Sequence, residues 1–346
     1  MEKETDKKTV IAQVVGKPAG GVIACVLNFY RNVDREKYKF VFFTYEPSVY
    51  DEEISRLGGE VVHFCKAYLF PRSVPELVSL FRKGKYDIVH VHMSTLSVFP
   101  LLAAKIAGCG TRICHAHTTG NIKERFYFAK RILRPFVTLF ATDLMACSRY
   151  AAEWTYGKKS AFILHNAIDL SRFSPNGSKV KNVVGTVGRL VQQKNHLFLI
   201  DVIKSVRERN PDVLLIITGE GKLKKRIEKQ IKRKGMQDYA FVRSERADIE
   251  NFYDEISLFV LPSLFEGLPI VGVEAQAKGL PCLFSDKITQ EVSVGGETAF
   301  LPLVKEKWIN GILESLQKSS AVNKISDDYD IEKEAKKLEK YYGDRA

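Results

Sequence analysis

The chain has 346 residues, 45% of them apolar, and a formal charge of +12 at neutral pH. That length suits two domains of roughly 150 residues each, and the apolar share excludes a disordered chain. The charge leaves nucleic acid, an anionic membrane surface and anionic small substrates open as partners, and by itself does not choose among them.

The amino terminus, MEKETDKKTV, precedes a short apolar run, IAQVV. That run is too short for a signal sequence and follows acidic residues. The longest apolar stretches, such as Val213 to Ile217 and Leu258 to Leu261, are strand-length, well short of the ~20 residues a bilayer span needs. The expectation is a cytoplasmic protein that does not span the membrane. Cysteines 25, 65, 109, 114, 147 and 282 form no CxxC pair, as expected of buried thiols in a reducing compartment. Cys109, Cys114, His115 and His117 are close in sequence, but their spacing is not that of a structural zinc site. No metal or other cofactor is expected.

In chain order, β-branched and aromatic runs predict strands at Val10 to Val15, Phe40 to Tyr45, Val61 to Phe64, Ile88 to His92, Arg112 to His115, Leu144 to Cys147 and Phe162 to Leu164. A second series follows at Val183 to Val187, Leu214 to Thr218, Tyr239 to Val242, Leu258 to Leu261 and Cys282 to Ser285. Amphipathic stretches such as Gly21 to Arg31, Val74 to Lys83 and His196 to Arg209 lie between them. Apolar strands alternating with helices predict an α/β protein with parallel sheets buried on both faces.

The pattern breaks at RFSPNGSKVKN, Arg172 to Asn182, which reads as an interdomain linker. The domains expected are residues 1–172 and 183–320, with a charged tail, 321–346, forming a helix that packs back on the first domain. Ligands of such paired domains are expected in the cleft at the strand carboxyl ends. Asp328 to Asp330, DYD, has the form of a metal-binding DxD but follows no strand, and reads as a helix start.

Four clusters fall at strand ends. GKPAGG, Gly16 to Gly21, places Gly20 and Gly21 at the opening of a helix, where free N–H groups suit a phosphate. VVGTVGRLVQQKN, Val183 to Asn195, ends a strand at Gly188 and sets Arg189 and Lys194 beside a helix start capped by Asn195, a cationic setting for a diphosphate. LPSLFEGLPIVGVE, Leu261 to Glu274, puts Glu266 in a loop and Glu274 in the following helix, with exposed N–H groups near Gly267 to Ile270. Carboxylates accept from vicinal sugar hydroxyls. RICHAHTTG, Arg112 to Gly120, ends a strand in His115 and His117, which share a face if the strand continues.

GRLVQQKN, TGEGKLK and PSLFEGLPIVGVEAQAKGLPC together resemble the second domain of family-4 retaining glycosyltransferases. GGVIACVLNFYRNVDREKYKF, HAHTTG and LHNAIDLSRF extend the resemblance over residues 8 to 310, closest to the bacterial exopolysaccharide and capsule group. The resemblance implies a GT-B fold of two Rossmann-like domains, the first taking the acceptor and the second the nucleotide-sugar. It implies that Arg189 and Lys194, near Gly188, hold the donor diphosphate. Glu274 would bind the ribose hydroxyls. Glu266, with the N–H groups of Gly267 and Leu268 and the adjacent Ile270, would hold the transferred hexose. His117 matches the family's active-site histidine better than His115 does. Gly21 or Gly20 would approach phosphate or acceptor. Tyr239 to Ser244, Arg243 included, would lie near the base. The implied reaction is retaining hexosyl transfer, with a UDP-sugar the first expectation. Side-chain cations and helix termini would replace a metal in offsetting leaving-group charge.

The chain departs from the family pattern at Ile23, where relatives often carry Glu, at Thr118, where they often carry Asn or Asp, and near Val242 to Ser244, where a usual glycine is absent. KERFYFAKRILRPFVTLF, Lys123 to Phe140, mixes cations with aromatics and suits an anionic membrane surface, where the lipid-linked acceptors of the resembled group sit. Lys222 to Lys234 reads as a solvated basic face, and no nucleic-acid module accompanies it. Two rival readings are a non-catalytic nucleotide-sugar-binding subunit and a nucleotide-sugar epimerase on a similar fold. A dehydrogenase would require GxGxxG, which TGEGKLK lacks.

Overall fold

The computed structural model describes residues 8–18, 20–67, 69–117, 127–175, 180–244, 249–318 and 325–346. The chain divides into two units, one formed by Met1–Ala167 with Asp330–Ala346, the other by Ile168–Tyr329.

The first unit is built on seven strands: β1 (Thr9–Gly16), β2 (Tyr38–Thr44), β3 (Glu60–His63), β4 (Ile88–Val91), β5 (Thr111–Ala116), β6 (Asp143–Ala146) and β7 (Phe162–Ile163). They pair in parallel in the order β3-β2-β1-β4-β5-β6-β7. The connections carry α1 (Gly21–Asn32), α2 (Asp51–Arg56), α3 (Phe70–Gly84), α4 (Val98–Ala107), α5 (Tyr127–Phe140) and α6 (Arg149–Tyr156). Parallel pairing requires such crossovers. The strands read as continuous apolar runs because helices cover both faces: Ile11, Phe40, Phe42, Ile88 and Ile113 are fully buried in one core.

The second unit has six strands: β8 (Val183–Val187), β9 (Leu214–Thr218), β10 (Ala240–Arg243), β11 (Leu258–Leu261), β12 (Cys282–Ser285) and β13 (Thr298–Leu301). All are parallel, in the order β10-β9-β8-β11-β12-β13. Its helices are α7 (His196–Arg209), α8 (Lys224–Arg233), α9 (Ile249–Asp254), α10 (Ile270–Ala277) and α11 (Lys305–Ser315). Val184, Leu215, Ile217, Leu258 and Val260 fill its core with Trp308 of α11. Strand β13, TAFL, was not among the expected strands; it is a four-residue edge strand without an alternating pattern.

Strand order reverses between β1 and β4 in one sheet and between β8 and β11 in the other. In open parallel sheets, ligand sites form at such switch points, beyond the strand carboxyl ends. GKPAGG follows β1, GRLVQQK follows β8 and PSLFEGLP follows β11, so three of the four clusters lie there.

The unit boundary falls between Ala167 and Ile168, ahead of the linker expected at Arg172 to Asn182. Residues on both sides of Arg172 belong to the second unit. Arg172 makes a two-pronged ion pair with Glu250 at 3.0 Å, Phe173 packs edge-on against Tyr253, and the Ile168 N–H donates to the Tyr329 carbonyl. The tail also divides. Residues through Tyr329 belong to the second unit, and α12 (Ile331–Gly343) belongs to the first. There Ile331, Ala335, Leu338, Tyr341 and Tyr342 join the core with α1 and β2. Asp330 of DYD caps α12, its carboxylate accepting from the Glu332 N–H; Tyr329 is buried and donates to the Glu291 carbonyl. This is the structural role the sequence suggested for DYD.

Candidate active site

The loops after β8 and β9 lie against each other with no side chain between them. Gly188 N–H donates to the Thr218 carbonyl, Leu190 N–H to Glu220 and Leu223 N–H to Leu190. A Cβ on Gly219 would lie 2.0 Å from the Gly188 carbonyl oxygen, and one on Gly221 would lie 2.5 Å from the Leu190 oxygen. Both glycines also have φ near +150°, which other residues rarely adopt. The TGEG glycines therefore fix loop against loop.

That support fixes GRLVQQK. Gln192–Lys194 forms a single 3₁₀ turn, which turns the Lys194 side chain back over Gly188. A Cβ on Gly188 would stand 3.1 Å from Lys194 Cε, so a glycine there makes room for the stem. Lys194 Nζ lies 2.7 Å from Glu266 Oε1, both side chains mostly buried. Gln193 stitches the same loops, donating from Nε2 to the Phe265 carbonyl at 2.9 Å and to Glu266 Oε2 at 3.1 Å, while its own carbonyl accepts from Leu264 N–H. The structure thus brings Lys194 and Glu266 together and adds Gln193, a residue the sequence did not single out. Arg189 is exposed on the same loop; among the described residues it has no ion-pair partner.

Asn195 precedes α7 in a left-handed conformation and its side chain makes no capping bond. The expected N-cap is thus a backbone feature: the Asn195 carbonyl accepts from Phe198 and Leu199. On the other loop, Gly267 and Leu268 are buried, and α10 opens at Ile270 after Pro269, again without a side-chain cap. Its first-turn N–H groups lack a side-chain acceptor. Glu274 sits one turn on, where Tyr253 O–H donates to its Oε2 at 2.6 Å. Burial pushes the Glu274 carboxyl up to about 7, against the lowering pull of the Tyr253 bond and of Arg172. Arg243, at the end of β10, pairs with Glu255. It therefore does not stand free for a base.

In the first unit, Gly20 takes φ 81° just before α1, and Gly21 opens the helix with clear space around it. Ile23 is fully buried in the core, so the position where relatives often carry Glu serves packing here. His117 follows β5, and its ring lies 4.0 Å from that of His115. Both are buried, as their shared face predicts. The sequence missed what surrounds them. His117 Nε2 lies 2.9 Å from His92 Nδ1, and its Nδ1 lies 3.3 Å from Asn166 Oδ1. His92 Nε2 lies 2.8 Å from Gln13 Oε1. Gln13 Nε2 donates to the Tyr342 hydroxyl at 3.0 Å, and that hydroxyl lies 2.7 Å from His90 Nδ1. Burial, with the neighbouring rings, drives His90, His92 and His115 well below the usual histidine range. Burial lowers His117 to about 4. All four rings are neutral at neutral pH. Both ring nitrogens of His117 are engaged by protein. It can meet a substrate with its side chain only by giving up His92 or Asn166. The signal was present: His90 and His92, on and just past β4, repeat the H-x-H of His115 and His117 at the end of neighbouring β5.

Thr118 and the TTG that ends the histidine cluster lie outside the described residues, as do Lys123, Arg125 and Phe126 of the basic aromatic segment.

The arrangement in the second unit is a cationic loop, a carboxylate paired to it and an uncapped helix start, suited to a diphosphate ester of a polyol. Comparison with known proteins agrees. Residues 19–172 match the family described as Glycosyltransferase Family 4, and residues 168–338 match Glycosyl transferases group 1. EpsF of Bacillus subtilis (strain 168), named a glycosyltransferase, is 33% identical over 321 residues, 84% of this chain and 82% of its own. The UDP-Gal:alpha-D-GlcNAc-diphosphoundecaprenol alpha-1,3-galactosyltransferase of Escherichia coli is 27% identical over 79% of each chain. The crystal structure of Anabaena HepE in complex with UDP-glucose superposes with a TM-score of 0.80 at 18% identity, covering 97% of this chain and 99% of that one. The two parallel-sheet units have the GT-B architecture, and the chain belongs to the family-4 glycosyltransferases.

Proposed function

We propose that this enzyme transfers a hexose, with retention of configuration and without a metal at the reacting centre, from a UDP-sugar to a lipid-linked glycan in exopolysaccharide or capsule assembly. The observation that carries the reading is the Lys194–Glu266 pair, buried between the loops after β8 and β11. Transfer breaks the anomeric C–O bond and builds charge on the leaving diphosphate. Lys194, Arg189 and the N–H groups opening α10 offer positive charge for it, which is the work a divalent ion does in other transferases. Glu266 accepts from hexose hydroxyls, and Glu274 from the ribose. The leaving phosphate oxygen can take the acceptor hydroxyl's proton on the same face, so no second carboxylate is required as base.

The acceptor and localisation rest on other observations. The E. coli relative acts on a diphosphoundecaprenol-linked sugar, and further relatives serve amylovoran and capsular polysaccharide biosynthesis. Among the described residues no helix is long and apolar enough to cross a membrane. On α5, however, Phe128, Ile132, Phe136 and Leu139 are 72%, 69%, 45% and 60% exposed. Their spacing sets them along one side of the helix, with Arg131 exposed beside them. An apolar stripe flanked by cations on a protein of charge +12 suits peripheral binding to an anionic inner leaflet.

The test is donor consumption. Purified enzyme is given UDP-, GDP- and ADP-hexoses in EDTA, with and without a short prenyl-diphosphate sugar. UDP release and an α-linked product that survive EDTA, and fall at least a hundredfold in Lys194→Ala, support the reading. Interconversion of the donor with no acceptor added, or donor binding with no turnover, would replace it with an epimerase or a binding subunit.

A further inference from the structure

The geometry points to a structural metal site inside the first unit, in which His90, His92 and His115 hold one borderline divalent cation of the zinc type. The transfer chemistry proposed above does not run through this metal, although His92 also holds His117 at 2.9 Å.

One ring nitrogen from each of the three histidines lies within 4.8 Å of the other two. The three rings come from β4, the residue just past it and neighbouring β5, and are at most 6% exposed. They border a cavity of about 10 Å³, together with Gln13, Cys25 and Tyr342. That volume is the room one small ion or one water needs. Buried polar atoms are nearly always satisfied; yet His90 Nε2 has no hydrogen-bond partner among the described residues, and the His115 ring has at most the Leu164 backbone carbonyl on one nitrogen. His90 Nε2 and at least one ring nitrogen of His115 are thus left without a partner, in a core where an unmade bond is costly.

The donor set selects the ion. Neutral imidazoles suit zinc, nickel or copper and disfavour magnesium and calcium, which want oxygen. His90 is prepared as a ligand: its Nδ1 is held by the Tyr342 hydroxyl at 2.7 Å, which orients Nε2 in the way outer partners orient metal-bound histidines. His92 has Nε2 committed to Gln13 Oε1, so Nδ1 is the lone pair it can give. Coordination there replaces the contact with His117 Nε2 and releases that nitrogen. Cys25 is fully buried on the same cavity, but its thiol donates to Asn166 Oδ1 at 3.2 Å, so the three imidazoles are the protein donor set. Zinc–nitrogen bonds of 2.0–2.1 Å at tetrahedral angles place donors about 3.4 Å apart, so the rings close by roughly an ångström on binding. The sequence pairing of His115 with Cys109 and Cys114 gave no such set, because the partners lie on the adjacent strand.

The test uses the full chain without a histidine tag. Metal content is measured as isolated from zinc-supplemented medium, and after incubation with Co²⁺ alone or Zn²⁺ alone. The expected result is close to one metal per chain, tetrahedral Co²⁺ d–d absorption bleached by added Zn²⁺, and an unfolding temperature raised by Zn²⁺. His90→Gln and His115→Asn should each lose the absorption. His63→Gln, outside the cluster, should keep it. Wild-type protein that takes up well under one equivalent under all these conditions would overturn the site whatever the variants do. So would uptake unchanged in a folded His115→Asn protein.

Discussion

Lys194 Nζ and Glu266 Oε1 lie 2.7 Å apart, and each side chain is only about a tenth exposed. A pair this buried is costly to break from one side, because the remaining charge keeps its desolvation penalty without its partner. Lys194→Ala is expected to lose about 3 kcal/mol of stability as well as at least a hundredfold in kcat/KM. Lys194→Met with Glu266→Gln should recover most of the stability and none of the activity. Chemical denaturation and donor turnover on the three proteins separate the two effects. Equal stability of Lys194→Ala and wild type would mean that the pair is not formed in solution.

Two glycines make opposite predictions. At Gly219 a methyl group meets the Gly188 carbonyl at 2.0 Å in a backbone region that L residues avoid. Gly219→Ala should cost at least about 2 kcal/mol and displace the loop that carries Arg189. At Gly21 nothing lies within 4 Å of the added atom, so Gly21→Ala should unfold like wild type. Loss of turnover in a fully stable Gly21→Ala enzyme would then report a ligand passing close to the Gly21 Cα, since the variant keeps its N–H. Full turnover would mean that no ligand approaches closely enough at residue 21 to require glycine.

The contrast shows what the sequence could carry. Strand positions and the E-x₇-E loop were legible because they are local: apolar runs bounded by Gly and Pro, and a fixed spacing from Glu266 to Glu274. Gln193 was not, because its role depends on the carbonyl of Phe265 in another loop. The histidine cluster was half legible. Alternation put His115 and His117 on one face, but only the register of β4 against β5, with His90 opposite Ile113, brings the second H-x-H alongside. Asn195 looked like a side-chain cap, and its left-handed backbone took that role away. The charged tail gave no sign of where the unit boundary would cut it.

That tail makes a third prediction. Ile331, Ala335, Leu338, Tyr341 and Tyr342 complete the core of the first unit, and Tyr342 also closes the bonds to Gln13 and His90. Burying a large apolar side chain is worth about 1.5–3 kcal/mol, so losing several approaches the whole stability of a domain. A chain ending at residue 330 should lose the unfolding transition of the first unit and keep that of the second. A synthetic peptide of residues 327–346 should restore it. Calorimetry that shows both transitions unchanged in the shortened chain would mean that α12 is dispensable.

Glu274 ties pH to donor binding. Its carboxyl is raised to about 7 from a usual 4.5, chiefly by burial. The sign follows from linkage: between those values the folded state binds the proton more tightly than the unfolded chain does. The carboxylate form costs the fold increasingly as pH rises from 4.5 to 7, and above 7 the full cost is in place. If the carboxylate receives the ribose hydroxyls, donor affinity must move the other way. One-site titration then predicts that affinity for a UDP-hexose, whose own phosphates do not titrate near neutrality, rises about tenfold between pH 6 and pH 8. Glu274→Gln should flatten that profile and bind weakly throughout, yet be more stable than wild type at pH 8, since Tyr253 can still donate to the amide oxygen. Calorimetric titration with donor across this range, beside denaturation of both proteins, reads both slopes. A wild-type affinity independent of pH would take Glu274 out of ribose recognition and leave it as a buried partner of Tyr253.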